Sequence, residues 1–454
     1  MTANPIAETV RSLMPRAKSE LTELVAFESV ADEAVAPRSE CEAAANWVAD
    51  ALRAEDFQDV ALLDTPDGSQ AVYGILPGPA GAPTVLLYAH YDVQPKLDES
   101  AWLTPPFELT ERDGRWYGRG TADCKGGFIL HLLALRALKA NGGVPVTVKM
   151  IVEGSEEQGT GGLEQYAEQH PEVLAADTIV IGDAGNFRVG LPTVTATLRG
   201  MTMIRVQIDT LEGNLHSGQF GGAAPDALAA LIRVLDSLRG PDGSTVIDGL
   251  PGDKAWEGLQ YPEEDFRQDA KVLSGVALPG AGTVADRIWA RPAVTVVGID
   301  CHPVAGATPS IPASARAQIS LRVPPGQDAV EATKLLFAHI EKHTPWNARV
   351  SLEQVGQGQA FQADTSSPAY ASMAEAMRIA YPGQEMQTAG MGGSIPLCNT
   401  LASLYPDAEI LLIGLSEPEA QIHAPNESVS PEELERLSVA EAHFLVNYAR
   451  SKQG

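Results

Sequence analysis

The sequence predicts an α/β protein: a mostly parallel β-sheet flanked by helices and interrupted by an inserted ferredoxin-like domain of β-α-β-β-α-β order. Two observations carry this prediction. Short, nearly uninterrupted apolar segments recur along the chain, as in strands that are buried on both faces of a parallel sheet. In the middle of the chain, alternating and helical patterns follow one another in the ferredoxin-like order. A chain of 454 residues is long enough for two such domains.

Two amphipathic helices begin the larger predicted domain, and four short apolar strands form its sheet. Helical apolar spacing covers residues 6–25 and 41–52. The predicted strands are residues 84–89, 146–152, 178–181 and 409–413, and the apolar segment 127–140 is predicted as a crossover helix. We therefore expect most of these strands to pair in parallel, with helices on the faces of the sheet.

A second pattern occupies the middle of the chain and is complete in itself. Its predicted strands are residues 202–209, 293–299, 313–323 and 348–353, and its predicted helices are residues 225–238 and 328–343. We expect three segments in two domains. Residues 1–198 and 356–454 form the larger, catalytic domain, and residues 199–355 form the insert.

The composition excludes several classes of partner. Lys and Arg number 32 against 59 Asp and Glu, so the formal net charge is −27 at pH 7. A surface this acidic repels nucleic acid and anionic membranes. No apolar stretch of about 18 residues predicts a membrane span, and the N-terminal region lacks the apolar core of a signal peptide. The four cysteines form no Cys-x-x-Cys pair, which fits the reducing cytoplasm.

Side chains that can bind metals follow the predicted strands at the points where those strands end. In open α/β sheets, ligands bind beyond the carboxyl ends of the strands. A single His or Asp at such a place is usually structural, as a hydrogen-bonded residue or a helix N-cap. Here histidines, aspartates and an adjacent glutamate pair converge on one predicted crevice, which favours a metal site. They are His90, Asp92, Asp123, Glu156, Glu157, Asp183 and His423.

These residue types predict which metals bind. Imidazoles and carboxylates without cysteine suit Zn²⁺, our first expectation, or Mn²⁺ or Co²⁺, in a site that holds two ions about 3.5–4 Å apart. One carboxylate would bridge the ions, which together acidify a shared water and polarise a scissile carbonyl. A further acidic residue has to stay off the metals to pass the proton of that water to the leaving amine. Glu156 and Glu157 are neighbours that could divide these tasks.

Motifs spread over nearly the whole chain resemble those of a known family. They are YAHYDVQP, GRGTADCKGG, EGSEEQGTGG, the GDA around Asp183, LHSGQFGG, MGGSIP and HAPNE. In this order they resemble the co-catalytic zinc metallopeptidases, a family that includes carnosinase-type dipeptidases, glutamate carboxypeptidase, aminoacylase, acetylornithine deacetylase and succinyl-diaminopimelate desuccinylase. The motifs GRGTADCKGG and LHSGQFGG are most similar to the dipeptidase and carboxypeptidase branch.

The resemblance implies a role for each of the converging residues. Asp123 would bridge two divalent ions, and Glu156 would act as general base and then as general acid. Asp92 would accept an imidazole N–H from His90 and so fix its tautomer. Cys124 stands where the family often has a second acidic residue, and we expect it to be an inert small side chain. The implied terminal metal ligands are His90, Glu157, Asp183 and His423.

The resemblance also assigns functional residues to the insert. It implies that the insert is a lid through which two chains form a homodimer, and that His216 reaches the partner subunit to help hold the carbonyl oxyanion. Arg322 and the turn that contains Gly393 and Ser394 resemble positions that bind the terminal carboxylate of a substrate, for which a guanidinium and free backbone N–H groups are suited. His131 and His302 are expected to be structural.

Together these observations predict a cytoplasmic two-metal hydrolase that cleaves an amide bond in a small carboxylate substrate, with a dipeptide as the favoured substrate. An N-acyl amino acid deacylase, which would use the same site with a different acyl pocket, is the alternative. A non-catalytic metal-binding homologue is a remote alternative, since binding alone does not require Glu156 beside Glu157. A binuclear phosphoesterase is disfavoured because, apart from Arg322, no basic residue falls near the predicted crevice.

Overall fold

Residues 4–393 and 395–453 are described by a computed structural model, in which the chain divides into two units. The first unit comprises Met1–Ala196, Ala363–Ala389 and Pro396–Gly454, and the second comprises Thr197–Gln362 and Gly390–Ile395. Among the helices of the described residues, none is both long enough and apolar enough to cross a membrane.

Twelve helices and eighteen strands are assigned within the described residues. The helices are α1 (Pro5–Val25), α2 (Arg38–Ala54), α3 (Lys125–Ala140), α4 (Gly162–Gln169), α5 (Pro171–Leu174), α6 (Ser217–Phe220), α7 (Ala227–Ser237), α8 (Glu263–Asp269), α9 (Ala329–His343), α10 (Pro368–Ala380), α11 (Pro396–Leu404) and α12 (Pro431–Ser451). The strands are β1 (Gln58–Asp64), β2 (Gln70–Leu76), β3 (Thr84–His90), β4 (Thr110–Arg112), β5 (Arg115–Tyr117), β6 (Thr147–Glu153), β7 (Thr178–Ile181), β8 (Thr193–Leu198), β9 (Gly200–Asp209), β10 (Leu215–His216), β11 (Ala293–Asp300), β12 (Ser310–Ile311), β13 (Ser314–Val323), β14 (Arg349–Gly358), β15 (Phe361–Gln362), β16 (Gln387–Met391), β17 (Glu409–Leu412) and β18 (Ser428–Val429).

Within the described residues, the largest sheet has nine strands in the order β1-β2-β6-β3-β7-β17-β8-β15, and β16 also pairs with β8. Its four central strands, β6, β3, β7 and β17, are parallel to one another. The flanking strands β1, β2 and β8 pair antiparallel with their neighbours. The predicted α/β class is confirmed, and all four strands expected from the sequence are the central parallel ones.

Burial explains why the central strands and the crossover helix could be predicted from the sequence. Every residue of β7 is buried, β3 is buried from Val85 to His90, and the crossover helix α3 is buried from Lys125 to Leu138. Elements enclosed on all sides require continuous apolar sequence, so their pattern is visible without an alignment. The hairpin β1–β2 is not predicted, because β1 is an edge strand whose residues are exposed or half-buried.

The second unit contains a four-stranded antiparallel sheet in the order β11-β13-β9-β14. In chain order its elements are β9, α7, β11, β13, α9 and β14, which confirms the ferredoxin-like arrangement. Alternate residues of β9 are buried, and those that are buried form a common core with α7 and α9. β14 continues to Gly358, beyond the predicted end, because an irregularity in its register after Gln354 lets the pairing with β9 resume.

Candidate metal centre

The parallel strands of the first unit bring the predicted metal-binding residues together at one edge of its sheet. His90 is the last residue of β3, and Asp183 follows β7. Asp123 lies two residues before α3, and His423 lies in the loop after β17. Glu156 and Glu157 begin a short 3-10 helix that follows β6. Because these strands are parallel, their carboxyl ends face the same side, as expected for a ligand site in an open α/β sheet.

Asp123 lies between the two histidines, and each of its carboxylate oxygens faces a different imidazole. Oδ1 is 3.0 Å from Nε2 of His90, and Oδ2 is 2.9 Å from Nε2 of His423. Although burial raises the pKa of Asp123, hydrogen bonds with His423 and His90 hold it well below its usual range. One carboxylate therefore connects the two imidazoles.

A second carboxylate accompanies each imidazole. Asp183 Oδ1 is 3.3 Å from Nε2 of His90, and Glu157 Oε2 is 3.2 Å from Nε2 of His423. The site therefore has two halves, each made of one imidazole and one carboxylate, which share Asp123. In addition, the potential ligand atoms of His90, Asp123 and Glu157 all lie within 4.8 Å of one another.

The donor set and its charge fit two divalent cations. Five carboxylates surround two imidazoles, and these groups offer the nitrogen and oxygen ligands that Zn²⁺, Mn²⁺ and Co²⁺ accept. The sulfur of Cys124 also lies within 4.8 Å of potential ligand atoms of His90 and Asp183. Burial, together with neighbouring Asp123 and Glu157, raises the pKa of Asp183 despite its contact with His90. Hydrogen bonds with Asp123 and Glu157 raise the pKa of His423 to about 10. Both shifts follow from the excess of carboxylates over imidazoles in the centre.

Glu156 differs from the other carboxylates of the centre. Within the described part of the chain its carboxylate has no hydrogen bond or ion pair with an imidazole, although Glu157 beside it does. Burial, and then the charge of Asp183, raise the pKa of Glu156 well above its usual range. A carboxyl group that is held beside the donor set but outside it is suited to receive and return a proton.

Asp92 supports the centre in more ways than the sequence predicts. Nδ1 of His90 is 3.0 Å from the backbone oxygen of Asp92 and 3.4 Å from Oδ1 of its carboxylate, so the backbone is the nearer acceptor. The carboxylate of Asp92 accepts the backbone N–H groups of Glu156 (3.2 Å) and Glu157 (3.1 Å). Asp92 therefore orients one histidine and fixes the backbone of both glutamates.

Two positioning residues of this centre are absent from the sequence prediction. Glu427, fully buried, accepts the backbone N–H groups of Gly120, Ala122 and Asp123 at 3.0–3.1 Å. It also pairs with Arg119 at 2.8 Å. Gln94 donates to Oε2 of Glu157 at 2.8 Å. Both residues lie in motifs that carry the family resemblance: Glu427 is the final Glu of HAPNE, and Gln94 is the Gln of YAHYDVQP.

Cys124 and His423 each have a further feature that bears on the site of the first unit. The thiol of Cys124 donates to the backbone oxygen of Gly182 at 3.3 Å, and burial raises its pKa well above the usual value. Its sulfur therefore stays protonated, in agreement with an inert role, because thiolates are the form that binds metals. His423 has a φ of 58°, a left-handed conformation that is uncommon for histidine and is often found at functional sites.

The residues assigned to the insert lie in the second unit. His216 is exposed at the end of β10, which pairs with β12. Arg322 is half-buried near the end of β13, and Gly393 lies in a bend after β16. Ser394 lies outside the described residues. A basic residue that the sequence prediction omitted, Arg199, is buried next to Arg322, whose positive charge lowers its pKa in addition to the larger effect of burial.

Comparisons with known proteins identify the family to which this chain is similar. A profile of the family described as "Peptidase family M20/M25/M40" matches residues 86–447. A cysteinylglycine-S-conjugate dipeptidase of Corynebacterium striatum is 46% identical over 414 residues, which cover 90% of each chain. A Cys-Gly metallodipeptidase dug1 of Schizosaccharomyces pombe is 32% identical over 273 residues, which cover 57% of each chain.

Solved structures show the same fold. Human carnosine dipeptidase 1 has a TM-score of 0.81 at 24% identity, over 98% of each chain. The family resemblance seen in the sequence motifs is therefore confirmed over most of the chain. This protein belongs to peptidase family M20/M25/M40.

Proposed function

We propose that this protein is a two-metal dipeptidase, which hydrolyses the amide bond of dipeptides or of similar small substrates with a C-terminal carboxylate. The observation that carries the proposal is the position of Asp123, which turns one carboxylate oxygen to His90 and the other to His423. The relative from Corynebacterium striatum, a dipeptidase by name, supports the choice of substrate class.

The ligands would divide between two ions. His90 and Asp183 would hold one ion and His423 and Glu157 the other, with Asp123 shared. Two divalent ions held in this way acidify a shared water and polarise a scissile carbonyl. We expect Zn²⁺ as the native metal, with Mn²⁺ or Co²⁺ as substitutes, because imidazole and carboxylate ligands suit all three. Metal analysis of the protein purified without added metal tests this expectation.

Glu156 would transfer the proton of the reaction. Its carboxylate takes a proton from the attacking water and returns it to the nitrogen of the leaving amine, so that the C–N bond breaks without release of an amide anion. The carboxylate of Asp92 accepts the backbone N–H of Glu156 and thereby fixes the position of Glu156 in the centre. Arg322, Gly393 and Ser394 would bind the terminal carboxylate of the substrate, as the family resemblance implies.

The insert, residues 199–355, would act as a lid and as the contact between two chains of a homodimer. β11 supports this, because it is an edge strand with exposed Val296, Val297 and Ile299, and unpaired apolar edges favour strand pairing between chains. His216 would then help hold the oxyanion in the partner subunit. Mixing two inactive variants, His216→Ala and Glu156→Gln, should restore part of the activity by forming mixed dimers. No recovery after verified exchange of subunits would contradict a shared site.

We also propose a cytoplasmic location, which the free state of Cys41, Cys124, Cys301 and Cys398 supports. Fractionation of cells that express the native gene tests it.

The decisive experiment on the function compares substrate classes. Metal-replete enzyme is assayed with a panel of dipeptides, including cysteinylglycine and β-alanylhistidine, and with N-acetyl and N-succinyl amino acids. We expect turnover of dipeptides to exceed that of the acylated amino acids. Efficient deacylation without dipeptide hydrolysis would identify the deacylase alternative instead, and no turnover with both metals bound would identify a non-catalytic homologue.

A further inference from the structure

The segment that carries Glu156 and Glu157 has no apolar side chain with which to pack against the protein. Residues 155–162 have the sequence SEEQGTGG, in which three residues are glycines. Residues 158–160 are exposed, and a cavity of about 260 Å³ lies beside the segment. Glycines leave the backbone free to adopt many conformations, and apolar packing cannot restrict them here. Hydrogen bonds from other parts of the chain therefore have to hold the two glutamates in place.

Asp67, in the turn between β1 and β2, contacts this segment on both sides of the glutamates. Its Oδ2 accepts the hydroxyl of Ser155 at 2.7 Å and also the hydroxyl of Thr160. A Cβ atom added at Gly162 would lie 2.4 Å from the carboxyl carbon of Asp67, so only a glycine lets helix α4 begin against this carboxylate. One carboxylate therefore fixes the chain just before and just after the two glutamates.

The other carboxylate oxygen of Asp67 is held by its own turn. Oδ1 accepts the hydroxyl of Thr65 at 2.6 Å, and both the hydroxyl (2.9 Å) and the backbone N–H (3.1 Å) of Ser69. Although burial raises the pKa of Asp67, hydrogen bonds from Thr160 and the other donors hold it well below its usual range. The carboxylate is thus ionised, and hydrogen bonds to an ionised acceptor are the stronger ones. The turn orients the carboxylate, and the carboxylate anchors the segment.

Asp92 and Asp67 hold different parts of the same segment. Asp92 accepts the backbone N–H groups of Glu156 and Glu157, whereas Asp67 holds the two ends through side-chain hydroxyls. We propose that Asp67 is a positioning residue of the reaction, which keeps Glu157 beside His423 and keeps Glu156 next to the donor set but outside it. The catalytic part of this role rests on the proposed function, which assigns proton transfer and metal binding to the two glutamates.

A positioning role of this kind should affect the two ions unequally, because Glu157 belongs to only one half of the centre. Metal-free protein is titrated with Zn²⁺, and the affinities of the two ions are compared between wild type and variants. We expect Asp67→Ala to weaken one ion by about 10–100-fold, as residues that orient ligands typically do, and to leave the other unchanged. Equal weakening of both ions would indicate a purely structural role and would overturn the proposal, as would unchanged binding of both.

Two further variants make the titration specific to the contact with the segment. Asp67→Asn should lie between Asp67→Ala and wild type, since its amide keeps the shape and can donate to the hydroxyls that the carboxylate accepts. Asp64→Ala is the matched control, because Asp64 is an exposed carboxylate of the same hairpin that bonds to Gln70 and not to the segment. It should bind both ions as wild type does. The same selective weakening in Asp64→Ala would assign the effect to the hairpin as a whole and would refute a specific role of Asp67.

Hydrogen exchange in the metal-free protein tests the anchor without hydrolysis, and Thr160→Val keeps the test possible if Asp67→Ala does not fold. Thr160 is exposed, and this variant removes only its hydroxyl bond to Asp67. In either variant we expect the backbone amides of Glu156 and Glu157 to exchange about 10-fold faster or more, with β3 unchanged. Unchanged exchange of these amides would overturn the proposal.

Steady-state kinetics of the metal-loaded enzyme separate this role from the proposed function. We expect Asp67→Ala to lower kcat by about 10–100-fold with KM near that of wild type, because a displaced Glu156 slows the chemical step rather than the binding of substrate. A change in KM alone would overturn the catalytic part of the role. If wild type hydrolyses no dipeptide but the exchange and titration effects are found, the proposed function fails and the anchoring role of Asp67 stands.

Discussion

The metal centre of the first unit and the arginine pair of the second, Arg199 and Arg322, are opposite in charge, and among the described residues no protein groups fully balance either of them. The metal centre gathers carboxylates in excess of imidazoles, and the arginine pair has two guanidiniums without a bonded carboxylate among the described residues. An excess of one sign in a buried place costs folding free energy. Such a cost is retained where a ligand of opposite sign completes the site, so the excess of carboxylates in the metal centre indicates divalent cations.

The two regions also differ in how the chain holds them. In the metal centre, buried acceptors fix the surrounding backbone: Asp92 holds Glu156 and Glu157, and Glu427 holds the segment before Asp123. At the arginine pair, the guanidinium of Arg199 is enclosed but keeps unused donors. The backbone of the first region is therefore fixed by the protein itself, whereas the second keeps buried donors that have no partner in the described part of the chain.

The largest effect is expected from removing the shared carboxylate. Asp123→Asn should abolish dipeptide hydrolysis and reduce the metal content, because both halves of the centre use this residue. Treatment of wild type with a chelator should have the same result, and added Zn²⁺, Mn²⁺ or Co²⁺ should reverse it only in wild type. Turnover and bound metal are measured together. Asp113→Asn, at an exposed position, is the control, and normal activity with normal metal content in Asp123→Asn would refute the assignment.

Substituting each of the two adjacent glutamates separately distinguishes the residue that transfers protons from the residue that binds metal. Glu156→Gln should lower kcat by about 10²–10⁴-fold while both ions stay bound, since general acid–base catalysis contributes this much. Glu157→Gln should instead lose metal, because Glu157 contacts His423. Steady-state kinetics and metal analysis distinguish the two. Wild-type turnover in Glu156→Gln would remove it from the mechanism.

A smaller effect is expected from the buried acceptor Glu427. Glu427→Gln should weaken metal affinity by about 10–100-fold, as residues that orient ligands typically do. It should also lower the free energy of unfolding by about 3 kcal/mol, because Arg119 keeps its charge without a buried partner. Metal titration and denaturant unfolding measure the two effects. Glu419→Gln, whose side chain is 76% exposed, is the matched control and should change neither.

The smallest effect, and the one that tests the comparison most directly, is a gain in stability. Arg199→Met should raise the free energy of unfolding of the ligand-free protein by about 1–3 kcal/mol, since it removes a buried charge with unused donors. Arg205→Met, on the exposed pair with Glu353, should change it by less than about 0.5 kcal/mol. Denaturant unfolding measures both. A clear loss of stability in Arg199→Met would show that the guanidinium is already balanced.

Much of the fold could be predicted from local patterns of apolar residues in the sequence. The four central strands, the crossover helix α3 and the ferredoxin-like order were predicted because their apolar periods are continuous over each element. The hairpin β1–β2 was not predicted, because the exposed edge strand β1 has no continuous apolar pattern. Its existence depends on pairing with β6, a strand that lies far along the sequence.

By itself the sequence determined which side chains end the buried strands and which ligand types they offer, because the ends of apolar segments are local features. It also determined the family, through motifs such as YAHYDVQP and HAPNE. Only the tertiary structure decided that Asp123 faces two imidazoles, that Glu427 holds Gly120 across a separation of 307 residues, and that Arg199 is buried beside Arg322. These contacts depend on strand register and on the packing of distant loops. Periodicity in one sequence contains no information about either.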